Sequence, residues 1–221
     1  MARQQERARR TRAAIIRSAA VEFGKSGYAA ASLNRILEGS HATKGAMYFH
    51  FDSKEDLARA VMETAVERYS ASTDRWMVRT ELDPFEILHG MIDEIALRLT
   101  SDVIVQAEFR LLIEPEFYGE FPTGGGKVWG KAVHTLAERA KAEGLFRDGI
   151  DTKKFTRIVA GAMAGQRFLA DLLAEQTDIR VRFEEALEVV LEAMAAPKWL
   201  DAFHRDGWQT RANVTDVEPV E

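Results

Sequence analysis

From Ile15 to Phe203 the apolar residues of this chain return every three or four positions, and no stretch alternates with period two. Such spacing lines one face of an α-helix and cannot line one face of a strand. A chain patterned this way buries helical faces against other helices, so the expected fold class is all-α. Ile15, Ile16, Ala19, Ala20 and Phe23 mark a first helix, with Gly24 and Gly27 at its expected end. Leu33, Ile36 and Leu37 mark a short second helix, and a third is expected from Thr43 to about Phe49. Ser53-Lys-Glu-Asp56 reads as a capping box, with Asp in place of the usual Glu or Gln, opening a helix over residues 53–75. Asp83-Pro84 opens another, with Phe85, Leu88, Ile92, Ile95 and Leu99 in register. Ile104 to Ile113 continues as helix until Pro115. Residues 114–126 contain two prolines and four glycines and are expected to loop. Further helices present Trp129, Val133 and Leu136, then run over 151–174 and 178–195, and a short last one begins at Pro197.

The 221 residues suit a small domain joined to a larger one, and 46% hydrophobic content is ample for a packed core. The expected division is a three-helix head over residues 1–52, a helical body over 53–211 and a fraying polar tail over 212–221. Charge divides at the same place. Residues 1–52 carry a net +5 and the remainder a net −10. A basic head on an acidic body either reflects a polyanionic partner for the head alone or is a chance distribution of surface charge.

Catalytic chemistry finds little support. There is no cysteine, and His41, His50, His89, His134 and His204 fall in no metal-binding spacing. Gly124-Gly125-Gly126-Lys127 resembles a phosphate loop only superficially, because no strand precedes it and no Ser or Thr follows. No enzyme activity, metal or cofactor is expected. No apolar run follows the N-terminal Met, and the longest, Ile158 to Gly165, is far short of the roughly 20 residues of a membrane span. A cytoplasmic protein without membrane contact is expected.

A short helix, a tight turn and a second short helix form the layout of a helix-turn-helix, whose second helix enters the major groove of duplex DNA. Thr43 can cap that second helix. Lys44 and Gly45 follow at its N-terminus, where the helix dipole favours a phosphate and a missing side chain lets the backbone approach. Met47, Tyr48 and His50 lie along the same helix, and Lys54 stands within reach of a flanking phosphate. Six arginines within residues 1–17 make a candidate arm or steering patch.

Thr-Lys-Gly-Ala-Met-Tyr-Phe-His-Phe-Asp-Ser-Lys-Glu-Asp-Leu, Thr43 to Leu57, resembles the most specific signature of the tetracycline-repressor (TetR) family. Ile15-Ile16, Ala19, Phe23, Gly27-Tyr28, Ser32-Leu33 and Ile36 resemble its first two helices. The likeness covers residues 11–57. It departs at His41 and Ala42, where the family usually has glycine and valine. A turn residue there often needs positive φ, which histidine tolerates better than a β-branched residue. Lys-Gly-Ala-Met-Tyr-Phe-His-Phe further resembles the γ-butyrolactone receptors of antibiotic-producing actinomycetes.

The resemblance implies a homodimeric repressor on a pseudo-palindromic operator of double-stranded DNA, released by a small-molecule inducer of mostly apolar character. It places Trp129 in the signal pocket and puts Gln166 where some members have a signal-bonding threonine. The expected signal contacts are Trp129, Gln166, Leu88, Phe109, Met163 and Phe168. Read by themselves, Trp129 is equally a core tryptophan, and Gln166 equally a partner of a neighbouring helix or water. The helices 151–174 and 178–195, with Gly161 and Gly165 as small residues at a close contact, are where this family dimerises. Two rival readings are a ligand-unresponsive regulator of the same fold and a helical carrier or enzyme with a degenerate head.

Overall fold

The computed structural model describes residues 2–119, 124–173 and 178–212. Among them the chain forms ten α-helices: α1 (Ala2–Ala30), α2 (Leu33–Ser40), α3 (Lys44–His50), α4 (Lys54–Met77), α5 (Pro84–Ser101), α6 (Val103–Leu112), α7 (Gly125–Ala142), α8 (Thr152–Leu173), α9 (Ile179–Met194) and α10 (Pro197–Asp206). No strand is present among the described residues; one isolated bridge joins Phe146 to Ala195. No helix among them is long and apolar enough to cross a membrane.

The caps follow from the sequence. Asp83 Oδ1 accepts the backbone N–H groups of Phe85 and Glu86 at 2.8 and 3.0 Å, and Asp178 Oδ1 accepts that of Arg180 at 2.9 Å. At α4 the capping box is shifted by one residue. Ser53 Oγ accepts the Asp56 N–H at 3.0 Å, but the Asp56 carboxylate reaches back to the N–H of Asp52 rather than of Ser53. The first helix is longer than its glycines suggest. Gly24 is helical, and the break comes at Gly27, with φ 73° and ψ 174°. A Cβ at Gly27 would lie 2.4 Å from Glu114 Oε1, the atom that accepts the Tyr28 N–H at 3.1 Å. Glycine there supplies both the left-handed φ and the space for the carboxylate.

The chain divides into two compact units, one of residues 1–69 with 99–126 and the other of 70–98 with 127–221. The expected boundary after residue 52 therefore does not divide the core. Ile15, Ala19 and Phe23 of α1, Ile36 of α2 and Met47 of α3 are buried in one cluster with Leu57, Val61, Ile104, Ala107 and Leu111. A three-helix head alone has too little interior to be stable, and α4 and α6 complete it.

In the second unit, Phe85 meets Phe146 and Trp199 edge-on at 5.0 and 4.9 Å, and α8 packs on α9. Helix α5 is buried on its polar side as well. Glu86 accepts from the N–H groups of Gln209 and Thr210 and from the Thr210 hydroxyl. Asp93 accepts from the Ala212 N–H at 2.8 Å and twice from the Arg180 guanidinium, at 2.6 and 2.7 Å. His89 stacks on Trp208 at 4.2 Å. Residues 207–212 are thus strapped onto α5. Ala212, where fraying was expected to begin, is buried, and the remainder of the tail, 213–221, lies outside the described residues.

Candidate functional site

Helices α2 and α3 build the proposed recognition element from local rules. Ser32 caps α2, and its own N–H donates to Glu22 Oε1 at 2.9 Å. The same carboxylate, buried between α1 and α2, receives the Arg35 guanidinium at 2.6 Å. Those donors, Arg35 first, hold the Glu22 carboxyl down at about 2. Helix α2 ends at His41 with φ 52° and ψ 28°. The His41 N–H donates to Glu38 O and the Ala42 N–H to Leu37 O, a Schellman closure with histidine where glycine is usual. The positive φ expected at this turn is present, and His41 is the one non-glycine residue with it among the described residues. Thr43 then caps α3, its Oγ1 accepting the Ala46 N–H at 3.1 Å.

The expected DNA contacts part into two groups. Thr43, Lys44, Gly45 and Tyr48 are exposed, and His50 is half-buried. Met47 is 1% exposed and packs in the core, so its expected place among the DNA contacts is corrected. It holds α3 from behind and has no surface to offer. Lys54 is already engaged. Its Nζ donates to Ala29 O and Ala31 O, both at 3.1 Å, and lies 4.8 Å from the Tyr28 ring. An ammonium has three donors, so one remains for a phosphate.

Phe49 was missed. It is 79% exposed, the most exposed large apolar side chain on α3, with its ring edge-on to His50 at 5.0 Å. The signal was present in the spacing: with Met47 turned inward, a residue two positions further along the helix is carried roughly 200° away. The N-terminal arginines from Arg3 to Arg17 ride on α1.

The expected signal contacts fall in both units. Phe109 belongs to the first unit; Leu88, Trp129, Met163, Gln166 and Phe168 belong to the second. Leu88 and Met163 are buried. Trp129 is half-buried, and its indole Nε1 is enclosed without a hydrogen-bond partner among the described residues. His134 Nδ1, which sequence reasoning did not single out, is enclosed in the same way. Gln166 is half-buried and makes no side-chain hydrogen bond among the described residues. Phe168 is corrected: at 47% exposed it faces outward rather than into an interior. Leu169, Val181 and Val189 are exposed with it on α8 and α9. A Cβ at Gly161 or Gly165 would meet nothing within 4 Å, so no close helix contact is made there among the described residues. No cluster of metal-ligating side chains occurs among the described residues.

Residues 15–61 match the family described as bacterial regulatory proteins, tetR family. Over 196 residues the chain is 29% identical to the A-factor receptor protein of Streptomyces griseus, covering 87% of this chain and 67% of that one. It is 30% identical to a structure described as the molecular basis for control of antibiotic production by bacterial hormones, with a TM-score of 0.72 over 84% of this chain and 98% of the other. It is 26% identical to full-length TylP, a TetR regulator from Streptomyces fradiae, with a TM-score of 0.67 over 87% and 90% of the two chains.

Proposed function

Since the chain belongs to the TetR family of bacterial transcriptional regulators, which are not enzymes, we propose that it is a homodimeric repressor released from its operator by a small, mostly apolar signal of γ-butyrolactone type. The observation that carries the DNA reading is the α2–α3 geometry: a left-handed turn at His41, a capped helix start at Thr43, and Lys44, Gly45, Tyr48 and Phe49 on the outward face. Lys44 and the free N–H groups at the start of α3 suit phosphate. Tyr48 and Phe49 suit base edges, an exposed ring fitting against a thymine methyl. His50 and the remaining donor of Lys54 suit the flanking backbone.

Two heads on a C₂ dimer read a pseudo-palindrome whose half-sites lie about one helical turn, roughly 34 Å, apart. Phe168, Leu169, Val181 and Val189, with the open glycines 161 and 165, are the surface on α8 and α9 that a second copy would cover. A signal carbonyl would satisfy the orphaned indole N–H of Trp129, and Gln166 offers a second polar contact. Leu88 and Met163 would pack against its apolar body. A ligand shifts an equilibrium only through differential affinity for two states. Helix α4 contributes residues to both units, so its tilt is the transmitter assigned to that difference.

The test uses a duplex selected from random DNA by the full-length chain, and an alkanoyl γ-butyrolactone. The wild type binds the duplex and the lactone releases it. Trp129→Ala keeps DNA affinity and loses release. A folded Trp129→Ala dimer that no longer binds DNA, or that is released like the wild type, removes Trp129 from the signal site. A wild type indifferent to the lactone and related apolar signals favours the ligand-unresponsive regulator.

A further inference from the structure

The basic charge of the head is confined to its first 17 residues. They hold six arginines and one glutamate, a net +5. Residues 18–52 hold three cations, Lys25, Arg35 and Lys44, against Glu22, Glu38 and Asp52, so the helix-turn-helix itself is neutral. Arg35 is moreover bound to the buried Glu22 at 2.6 Å. Duplex DNA carries one negative charge per about 1.7 Å of its axis, and the sequence-independent share of affinity comes from cations that neutralise its phosphates. Within residues 1–52 that share falls to the arginines.

These arginines stand on a helical overhang. Helix α1 begins at Ala2, yet residues 3–14 include no buried residue, and Ile15 is the first that enters the core. About 20 Å of helix therefore precedes the core, at roughly 1.5 Å per residue. Arg3, Arg7, Arg9, Arg12 and Arg17 are exposed and make no ion pair among the described residues; Arg10 meets Glu6 at 2.9 Å. The overhang leaves the core beside the recognition element. Ser18 Oγ donates to Ile36 O of α2 at 2.8 Å, and the Arg12 guanidinium lies 5.3 Å from the centre of the Phe51 ring, directly after α3. Stacking holds one face of that planar group and leaves its N–H edge open.

We infer that the overhang lies along the DNA backbone flanking the half-site read by α3, and that its arginines supply the sequence-independent part of the affinity. A helix with its side chains is about 10–12 Å across, too wide for a minor groove of about 6 Å. The arginines therefore meet phosphates rather than the base edges of that groove. Arg3, Arg7 and Arg10 recur along one face and Arg9 and Arg12 along another, which spreads the contacts over several phosphates. The inference rests on the DNA reading of α3 and adds to it a contact outside the helix-turn-helix.

Fluorescence anisotropy over a salt series tests it, with the full-length chain on the selected duplex carrying about one helical turn, roughly 10 bp, of arbitrary flank on each side, and on a random duplex of equal length. Arg3, Arg7 and Arg9 are changed together to Gln, which keeps a good helix former and removes the charge. With two overhangs per dimer, the salt slope falls by about 3–5 and the random duplex is bound about tenfold more weakly or worse. Thermal unfolding is unchanged. Lys127, Lys131 and Lys141, exposed on α7 and changed likewise, leave the slope as it was. An unchanged slope in the arginine variant overturns the proposal, and so does an equal fall in the α7 variant, because net charge then accounts for it. A wild type that prefers A·T to G·C flanks, and loses that preference with the arginines, reads the minor groove and overturns the phosphate contact. A wild type that binds no selected duplex overturns the operator reading together with this one; operator binding indifferent to the arginines overturns this one alone.

Discussion

At His41 the backbone enters the left-handed region without the help of glycine. A residue with a side chain pays about 1–2 kcal/mol there. Glycine removes that strain but adds freedom to the unfolded chain. His41→Gly is therefore expected to stabilise the protein by about 0.5–1 kcal/mol, and His41→Val to destabilise it by more, both read from denaturant unfolding. Two carboxyls give opposite pH signatures. Glu22 is held at about 2, below its ordinary 4.5, so its contribution is complete above pH 4.5 and is lost as pH falls toward 2. Burial raises Glu108 to about 7, so the folded state binds its proton more tightly than the unfolded chain does, and stability falls as pH rises from 4.5 through 7. Glu22→Gln should flatten the acid limb of a stability–pH profile. Glu108→Gln should flatten the limb toward neutrality and raise stability above pH 7, by an amount on the order of 3 kcal/mol at most. Unchanged limbs in the two variants would contradict these assignments.

The elements were largely legible because their rules are local. Thr43, Asp83 and Asp178 each cap the helix that the sequence placed after them, since a cap reaches only two or three residues. The division of α3 into inner and outer faces was only half read. Met47 belonged to the inner face by spacing, and Phe49 to the outer one. Replacing each separates the roles. Met47→Ala should cost about 2–4 kcal/mol of stability, as a buried methionine does, and weaken DNA binding through loss of fold. Phe49→Ala should leave the melting curve in place and lower affinity for a selected operator. Equal effects on folding and DNA in the two variants would refute the division. Lys54→Ala should lower the salt slope of DNA binding by about 1 if its third donor meets a phosphate. An unchanged slope would confine Lys54 to holding Ala29 and Ala31. What was not legible depends on distant sequence. The partners of Glu86 and Asp93 lie more than 80 residues away, and Glu108 meets Tyr69 only where α4 and α6 pack.

For the whole molecule, the exposed apolar residues of α8 and α9 predict that the chain sediments at twice its 24.8 kDa at micromolar concentration. Gly165→Leu fills a position that is open within the chain, so it should spare the monomer fold and weaken the dimer by about 1–3 kcal/mol. A monomeric wild type would end this assignment. The strap of residues 207–212 has a consequence for how the protein is made. The first unit has all its residues once Gly126 has been synthesised, whereas Glu86 and Asp93 cannot find their backbone partners until Ala212 has emerged. At usual rates of translation that interval is roughly 5–15 s. Over those seconds the ribosome displays a head able to fold beside a second unit whose α5 carboxylates must stay wet, so premature termination before Gly207 yields a chain suited to degradation rather than a smaller repressor.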